Sequence, residues 1–292
     1  MKSHLIAAAA IVLASCAGTP QPGRTNGKQA SVSPPPTQAG PTAERPIKAA
    51  IVDLNKGCLV GERYSVPSPA MSAVSEMMHA MAAAVPEDAA ANLAAGVTFP
   101  GVVVGGTVYT AANVAKSWIG QPLAEPAATK LKRKVVAIND ADAAGLAEVH
   151  FGAARDVAGT VMVLSLGTGI GSALFVDGRL VPNTEFGHLE FDGMEAEARA
   201  SGRARMERKL DWAAYVSELN YVLNRIHALF WPDLIVLCGG ITADHPNLTD
   251  DLKVPAQLKL GALRADAGIV GAAYATTLAQ GVWIKPAKVA GK

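Results

Sequence analysis

The chain has 292 residues, half of them apolar, and its 26 Lys and Arg against 25 Asp and Glu leave a formal net charge of +1. That length supports a core for one large or two medium domains, and the charge balance excludes a chain-wide field for nucleic acid or a membrane surface. A polyanionic ligand would have to be met by a local patch.

From the amino end, Lys2, the short apolar run Leu5 to Leu13 and the closing Leu13-Ala14-Ser15-Cys16 have the pattern of a secretory signal. The run is too short to span a bilayer as a helix. Residues 1–16 also resemble a bacterial lipoprotein signal, with Cys16 as the lipidated residue and membrane tether; the alternative is a chance apolar leader or a misplaced start codon. Residues 17–46, rich in Pro, Gly, Ser, Thr and Gln, read as a disordered linker. A genuine leader would put the protein in the cell envelope, an artefactual one in the cytoplasm. Cys58 and Cys238 read as buried free thiols, the cytosolic use of cysteine.

Ile47 to Asp53 and Cys58 to Tyr64 form a hairpin pattern around Asn55-Lys56-Gly57. Residues 69–95 have helical spacing, and Gly96 to Phe99 is a strand closed by Pro100-Gly101. Val135 to Ile138 is a buried strand carrying Asn139 and Asp140 at its end, followed by a helix over Asp142 to His150. Val161 to Leu166 runs into a glycine-rich turn whose hairpin partner is Ser172 to Phe175. Residues 194–231 are mainly helical, Leu234 to Cys238 is a strand ending in Gly239-Gly240, and a last helix begins near Ala267. Alternating strands and helices with hairpins interposed indicate an α/β fold. No internal repeat is visible at the level of sequence.

Asp140 sits where open α/β sheets place ligands, and as a carboxylate it suits proton abstraction from an alcohol, although Asp is also a preferred helix cap. Asn139 beside it can donate and accept. Asp142 fits a first-turn acid. The turn Gly167-Thr168-Gly169-Ile170-Gly171 offers backbone N–H groups to a phosphate, and leads into a hairpin rather than the helix of a dinucleotide site. Glu185-Phe186-Gly187-His188-Leu189-Glu190 has the polar density that sugars require. No cysteine cluster follows His188, so a zinc site is not expected there. Two basic runs, Arg199 to Lys209 and Lys130 to Lys134, are candidates for a polyanion track, the first the better one.

Seven segments in order resemble one family: Val97 to Gly101; Ala112-Asn113-Val114 with Trp118; Asn139 to Glu148; Leu166 to Ala173; Pro182 to Glu190; Phe230 to Leu234; and Ala267 to Ala273. They resemble the polyphosphate glucokinase branch of the ROK group (repressors, open reading frames, kinases). The resemblance implies a two-lobed, RNase H-like fold of the actin-like ATPase and sugar kinase class, with lobes at 47–138 and 139–292. It implies phosphoryl transfer from polyphosphate or ATP to the 6-hydroxyl of glucose, with Mg2+ accompanying the donor and Asp140 as general base. Asn113, Asn139, Glu185, His188 and Glu190 would hold the sugar. Gly167, Thr168 and Gly169 would contact the donor phosphates, with Gly239 and Gly240 across the cleft. The implied partners are glucose and polyphosphate or ATP, without nucleic acid and with a homodimer left open.

Members of the family open with a strand ending in an Asp-Ile-Gly-Gly type loop, where this chain has Pro41 to Pro46. The first strand of the N-terminal lobe is therefore expected to be missing, together with its phosphate loop. Two function classes follow: an active glucose phosphotransferase, or a non-catalytic sugar-binding remnant. A transcriptional repressor is disfavoured, because residues 1–46 carry no helix-turn-helix pattern.

Overall fold

A computed structural model describes residues 7–12, 46–67, 74–85, 89–90, 92–111 and 114–278. The first half contains strands β1 (Ala7–Val12), β2 (Ile47–Asp53), β3 (Cys58–Val66) and β4 (Ala95–Phe99), a short hairpin of β5 (Val103–Val104) and β6 (Thr107–Val108), and β7 (Val135–Asn139). Helices α1 (Val74–Ala84) and α2 (Ala124–Leu131) lie between them. Then come α3 (Asp140–Phe151), β8 (Thr160–Leu166), β9 (Ile170–Val176), β10 (Arg179–Val181), and the small pair β11 (Glu190–Phe191) and β12 (Met194–Glu195). Helices α4 (Ala196–Ala200), α5 (Gly202–Glu207) and α6 (Trp212–Phe230) precede β13 (Leu234–Cys238). The described chain closes with α7 (Gly240–Asp244), α8 (Leu248–Asp251), β14 (Gln257–Leu260) and α9 (Ala267–Ala275).

The two main sheets have the same topology. One runs β3-β2-β1-β4-β7 and the other β10-β9-β8-β13-β14, each with two antiparallel pairings followed by two parallel ones. The molecule is thus a structural duplication that the sequence did not display as a repeat, because a sheet constrains the spacing of apolar residues and not their identity.

This duplication corrects two expectations. The central strand expected to be missing is present, and it comes from the apolar run assigned to a signal peptide. Ala7 to Val12 pairs antiparallel with β2 from Ala7↔Asp53 to Val12↔Lys48, and parallel with β4 from Ala9↔Ala95 to Val12↔Thr98. A six-residue apolar run bonded on both edges meets the demands of a central strand. Cys16 and the linker lie outside the described residues, apart from Pro46. Among the described residues no helix is long and apolar enough to cross a membrane.

Five layers result. On the outer face of the first sheet, Met77 and Met81 of α1 and Ala127 of α2 pack with Val97, Phe99 and Trp118. On the outer face of the second, α6 presents Tyr215, Leu219, Val222 and Ile226 at helical spacing to Met162, Leu164 and Ile235. Between the sheets lie α3 and α9, where Leu146 and Val270 join Val52, Ile138, Val163 and Phe175 in one core. These two helices are nearly in backbone contact: a Cβ on Gly271 would stand 1.6 Å from the Ala143 carbonyl oxygen. Helix α9 also covers β2 and β4, so the end of the described chain returns to the first sheet. Cys238 is buried as expected, whereas Cys58 opens β3 and is exposed.

Candidate active site

Asn139 ends β7, and its side chain caps α3: Oδ1 accepts from Ala141 N at 2.8 Å and Asp142 N at 3.0 Å, while Nδ2 donates to Gly101 O at 3.0 Å. Capping therefore falls to Asn139, while the neighbouring Asp140 accepts from Ala141 N through Oδ1 at 2.9 Å. The Asn139 amide, expected to hold ligand, is engaged in fixing α3 to the loop after β4. Asp142 points inward, where Asn183 N donates to its Oδ2 at 2.8 Å. Asn183 in turn exchanges side-chain bonds with both backbone groups of Val103, tying the loop before Glu185 to the first half.

A cleft of about 300 Å³ opens beside Asp140, lined by Pro100, Gly101, Glu185, His188, Glu197 and the Gly169 to Ser172 stretch. Ser172 sets the far wall: its hydroxyl donates to Thr184 O at 2.7 Å and accepts from Phe186 N at 2.9 Å. Burial pushes the Glu185 carboxyl upward, opposed by His188 and reinforced by Glu197. Glu185 and His188 thus stand where the motif put them. Glu190 does not: it is exposed on β11 beside buried Phe191 and is not among the residues that line the cleft. Glu197 takes that place after the β11–β12 hairpin, and its position in the cleft was not foreseen. Asn113 lies outside the described residues.

A second, narrower crevice meets the first at Asp140, Ala141 and Gly171, and is lined also by Ser165, Cys238, Gly239, Arg264 and Gly268. Gly239 has φ +100, and a Cβ there would lie 2.5 Å from Leu166 O, so the ends of β8 and β13 can approach only through glycine. Gly240 begins α7 behind it. The Gly167 to Gly169 turn is partly spent on itself, since Gly167 N donates to Gly169 O at 3.0 Å and Gly167 O accepts from Gly202 N at 2.7 Å. Thr168 is partly exposed, and Gly169 is buried against the Glu197 carboxylate.

A clefted duplication with a carboxylate at the junction of two crevices is common to many phosphotransferases, and comparison with known proteins narrows it. The model of the ROK family matches residues 44–204. The chain belongs to the ROK family. It is similar to polyphosphate glucokinase of Mycobacterium leprae (strain TN), at 39% identity over 84% of this chain and 79% of the relative. It is 41% identical to polyphosphate glucokinase of Mycobacterium tuberculosis (strain ATCC 25618 / H37Rv) over 79% of this chain and 87% of the relative. Among solved structures, inorganic polyphosphate/ATP-glucomannokinase from Arthrobacter sp. strain KM superposes with a TM-score of 0.75 at 44% identity, covering 81% of this chain and 95% of that one. A ROK glucokinase from Streptomyces griseus superposes with a TM-score of 0.66 at 23% identity, covering 79% and 95%, and so shares the fold. By homology this ROK protein is a polyphosphate glucokinase-like enzyme with the actin-like sugar kinase fold.

The basic runs of this ROK protein divide by their contacts. Arg199 and Arg208 both grip Glu218, at 3.2 and 2.6 Å, and Arg199 also donates to Phe191 O. Arg205 lies over the Trp212 and Tyr215 rings. Only Arg203 of this run reaches a residue of the cleft, with 3.5 Å to Glu197. Lys130 to Lys134 precedes β7 and so lies at the opposite end of that strand from Asp140.

Two groups of side chains could hold a metal ion. His188, Glu195 and Glu197 have ligand atoms within 4.8 Å of one another, with His188 Nδ1 paired to Glu195 Oε2 at 3.3 Å. The crevice at Asp140 offers oxygen donors, the carboxylate and the Ser165 hydroxyl. That set fits Mg2+, which takes one or two carboxylates and completes its shell with phosphate oxygens and water.

Proposed function

We propose that this chain transfers a phosphoryl group from polyphosphate, or from ATP, to the 6-hydroxyl of glucose. The observation that supports it best is that Asp140 lines both clefts, the only ionisable residue to do so among the described residues. A sugar held by Glu185, His188 and Glu197 would present its hydroxyl to the Asp140 carboxylate, with Asn139 and Asn183 fixing the walls. Asp140 takes the hydroxyl proton as the oxygen attacks the terminal phosphorus. The bond from that phosphorus to the bridging oxygen breaks, and its electron pair leaves with the shortened polyphosphate or ADP. Mg2+ carried with the donor would be held by Asp140 and phosphate oxygens and would neutralise donor charge.

Asp140→Asn keeps the shape and removes the base. The expected outcome is a fall in kcat of about 10²–10⁴-fold with glucose affinity within threefold. A variant with near-normal kcat would remove Asp140 from the mechanism. The second function class, sugar binding without turnover, is favoured by one sequence departure: Leu13-Ala14-Ser15-Cys16 follows β1 in place of an Asp- and Gly-bearing loop. Wild-type protein that binds glucose and forms no glucose 6-phosphate from either donor would establish that class.

A further inference from the structure

The two clefts are rich in negative charge. Asp140, Glu185 and Glu197 line the acceptor side, and Asp140 is again the carboxylate of the crevice behind it. A phosphate chain entering that crevice carries charge of the same sign, and in a site partly closed to water this repulsion must be offset by a cation on the same side. Among the described residues that line either cleft, Arg264 is the one Lys or Arg.

Three observations set Arg264 apart from an ordinary surface arginine. Its backbone is left-handed, with φ +47, a conformation seldom adopted by a residue with a β-carbon and one that tends to be retained at functional sites. The segment leading to it is pinned to the helix that starts at Asp140: the buried Glu148 carboxylate of α3 accepts from Ala262 N at 3.0 Å and Leu263 N at 2.9 Å. The nearby acid, Asp266, is occupied by Arg63, and the Arg264 guanidinium makes no ion pair or hydrogen bond among the described residues. Asp140 and Arg264 are therefore mounted on one scaffold and line one crevice.

We propose that Arg264 grips the donor, its planar guanidinium binding the non-bridging oxygens of the phosphoryl unit beside Asp140. This rests on the kinase function proposed above. A guanidinium suits the role because it stays charged and can bind two phosphate oxygens at once.

The test uses the full chain, tripolyphosphate as the probe and calorimetric binding. Arg264→Gly accommodates the left-handed backbone, and Arg264→Lys keeps the charge without the fork. The expected result is at least tenfold weaker tripolyphosphate binding in Arg264→Gly, a smaller loss in Arg264→Lys, and glucose affinity within twofold of wild type in both. In turnover, millimolar guanidinium should restore part of the kcat lost by Arg264→Gly and leave Asp140→Asn unaffected. Equal tripolyphosphate affinity in wild type and Arg264→Gly, or no binding by wild type, overturns the proposal. Binding that depends on Arg264 in a protein that forms no glucose 6-phosphate leaves the proposal standing and removes the kinase function instead.

Discussion

Asp142 is fully buried, with Oδ2 held by Asn183 and Oδ1 without a partner among the described residues. Burial raises its pKa from the ordinary 3.8 to about 8, opposed by the Asn183 hydrogen bond and reinforced by smaller contributions from Glu185 and Asp140. The folded protein thus holds a proton there that the unfolded chain has released. The associated stability is fully present below about pH 4 and is lost as pH rises through about 8, with a slope of up to about 1.4 kcal/mol per pH unit. Asp142→Asn imitates the protonated form, so its melting temperature should vary less between pH 5 and 8 than that of wild type. Parallel profiles would show that Asp142 ionises where an exposed carboxylate does. At this scale the sequence was partly informative. Asp140, Glu185 and His188 were legible because they sit within contiguous polar motifs. Glu197 was not, since only the β11–β12 hairpin brings it back beside His188, and Glu190 is not among the residues that line the cleft. Arg264 belongs to no motif, and nothing short of the fold places it beside Asp140.

Helix α3 joins the two halves of the molecule and carries functions at both ends. Its N-terminus presents Asp140, and two turns on, Glu148 accepts backbone bonds from Ala153, Ala262 and Leu263 at 2.8, 3.0 and 2.9 Å. Glu148→Ala would remove the side-chain acceptor of three backbone amides, at a cost of roughly 3 kcal/mol. A urea-unfolding midpoint lowered by less than the equivalent of about 1 kcal/mol would mean that water reaches these amides. The helix itself was readable from the strand before it and the polar residues at its start. Its partnership with α9 was not, because the close crossing at Gly271 and Ala143 joins segments far apart in the chain.

For the whole molecule, the decisive element is β1. Its alanine-rich composition is weak as a strand signal and identical in character to an exported leader, so local propensity pointed elsewhere. Only the partners on either side, β2 and β4, define it as the middle of a sheet, and those lie tens of residues away. Deleting residues 1–12 should leave two facing edges unpaired and cost several kcal/mol, enough to broaden or abolish cooperative unfolding of the first half. A truncated protein melting within about 2 °C of full length would show that β1 contributes little to the fold, since about 1 kcal/mol corresponds to 2–4 °C in a chain of this size.

The duplication has a consequence for how the chain reaches its native state. In the second half, β8 and β9 are joined by residues 167–169; their counterparts β1 and β2 are joined by residues 13–46. Closing the longer connection costs about 2 kcal/mol more in chain entropy by the logarithmic rule, before any pairing repays it. The halves therefore start from unequal kinetic positions despite their shared topology. The β8–β9 hairpin can nucleate locally and early, whereas β1 has to be captured late, by a sheet edge that the rest of the first half has already assembled.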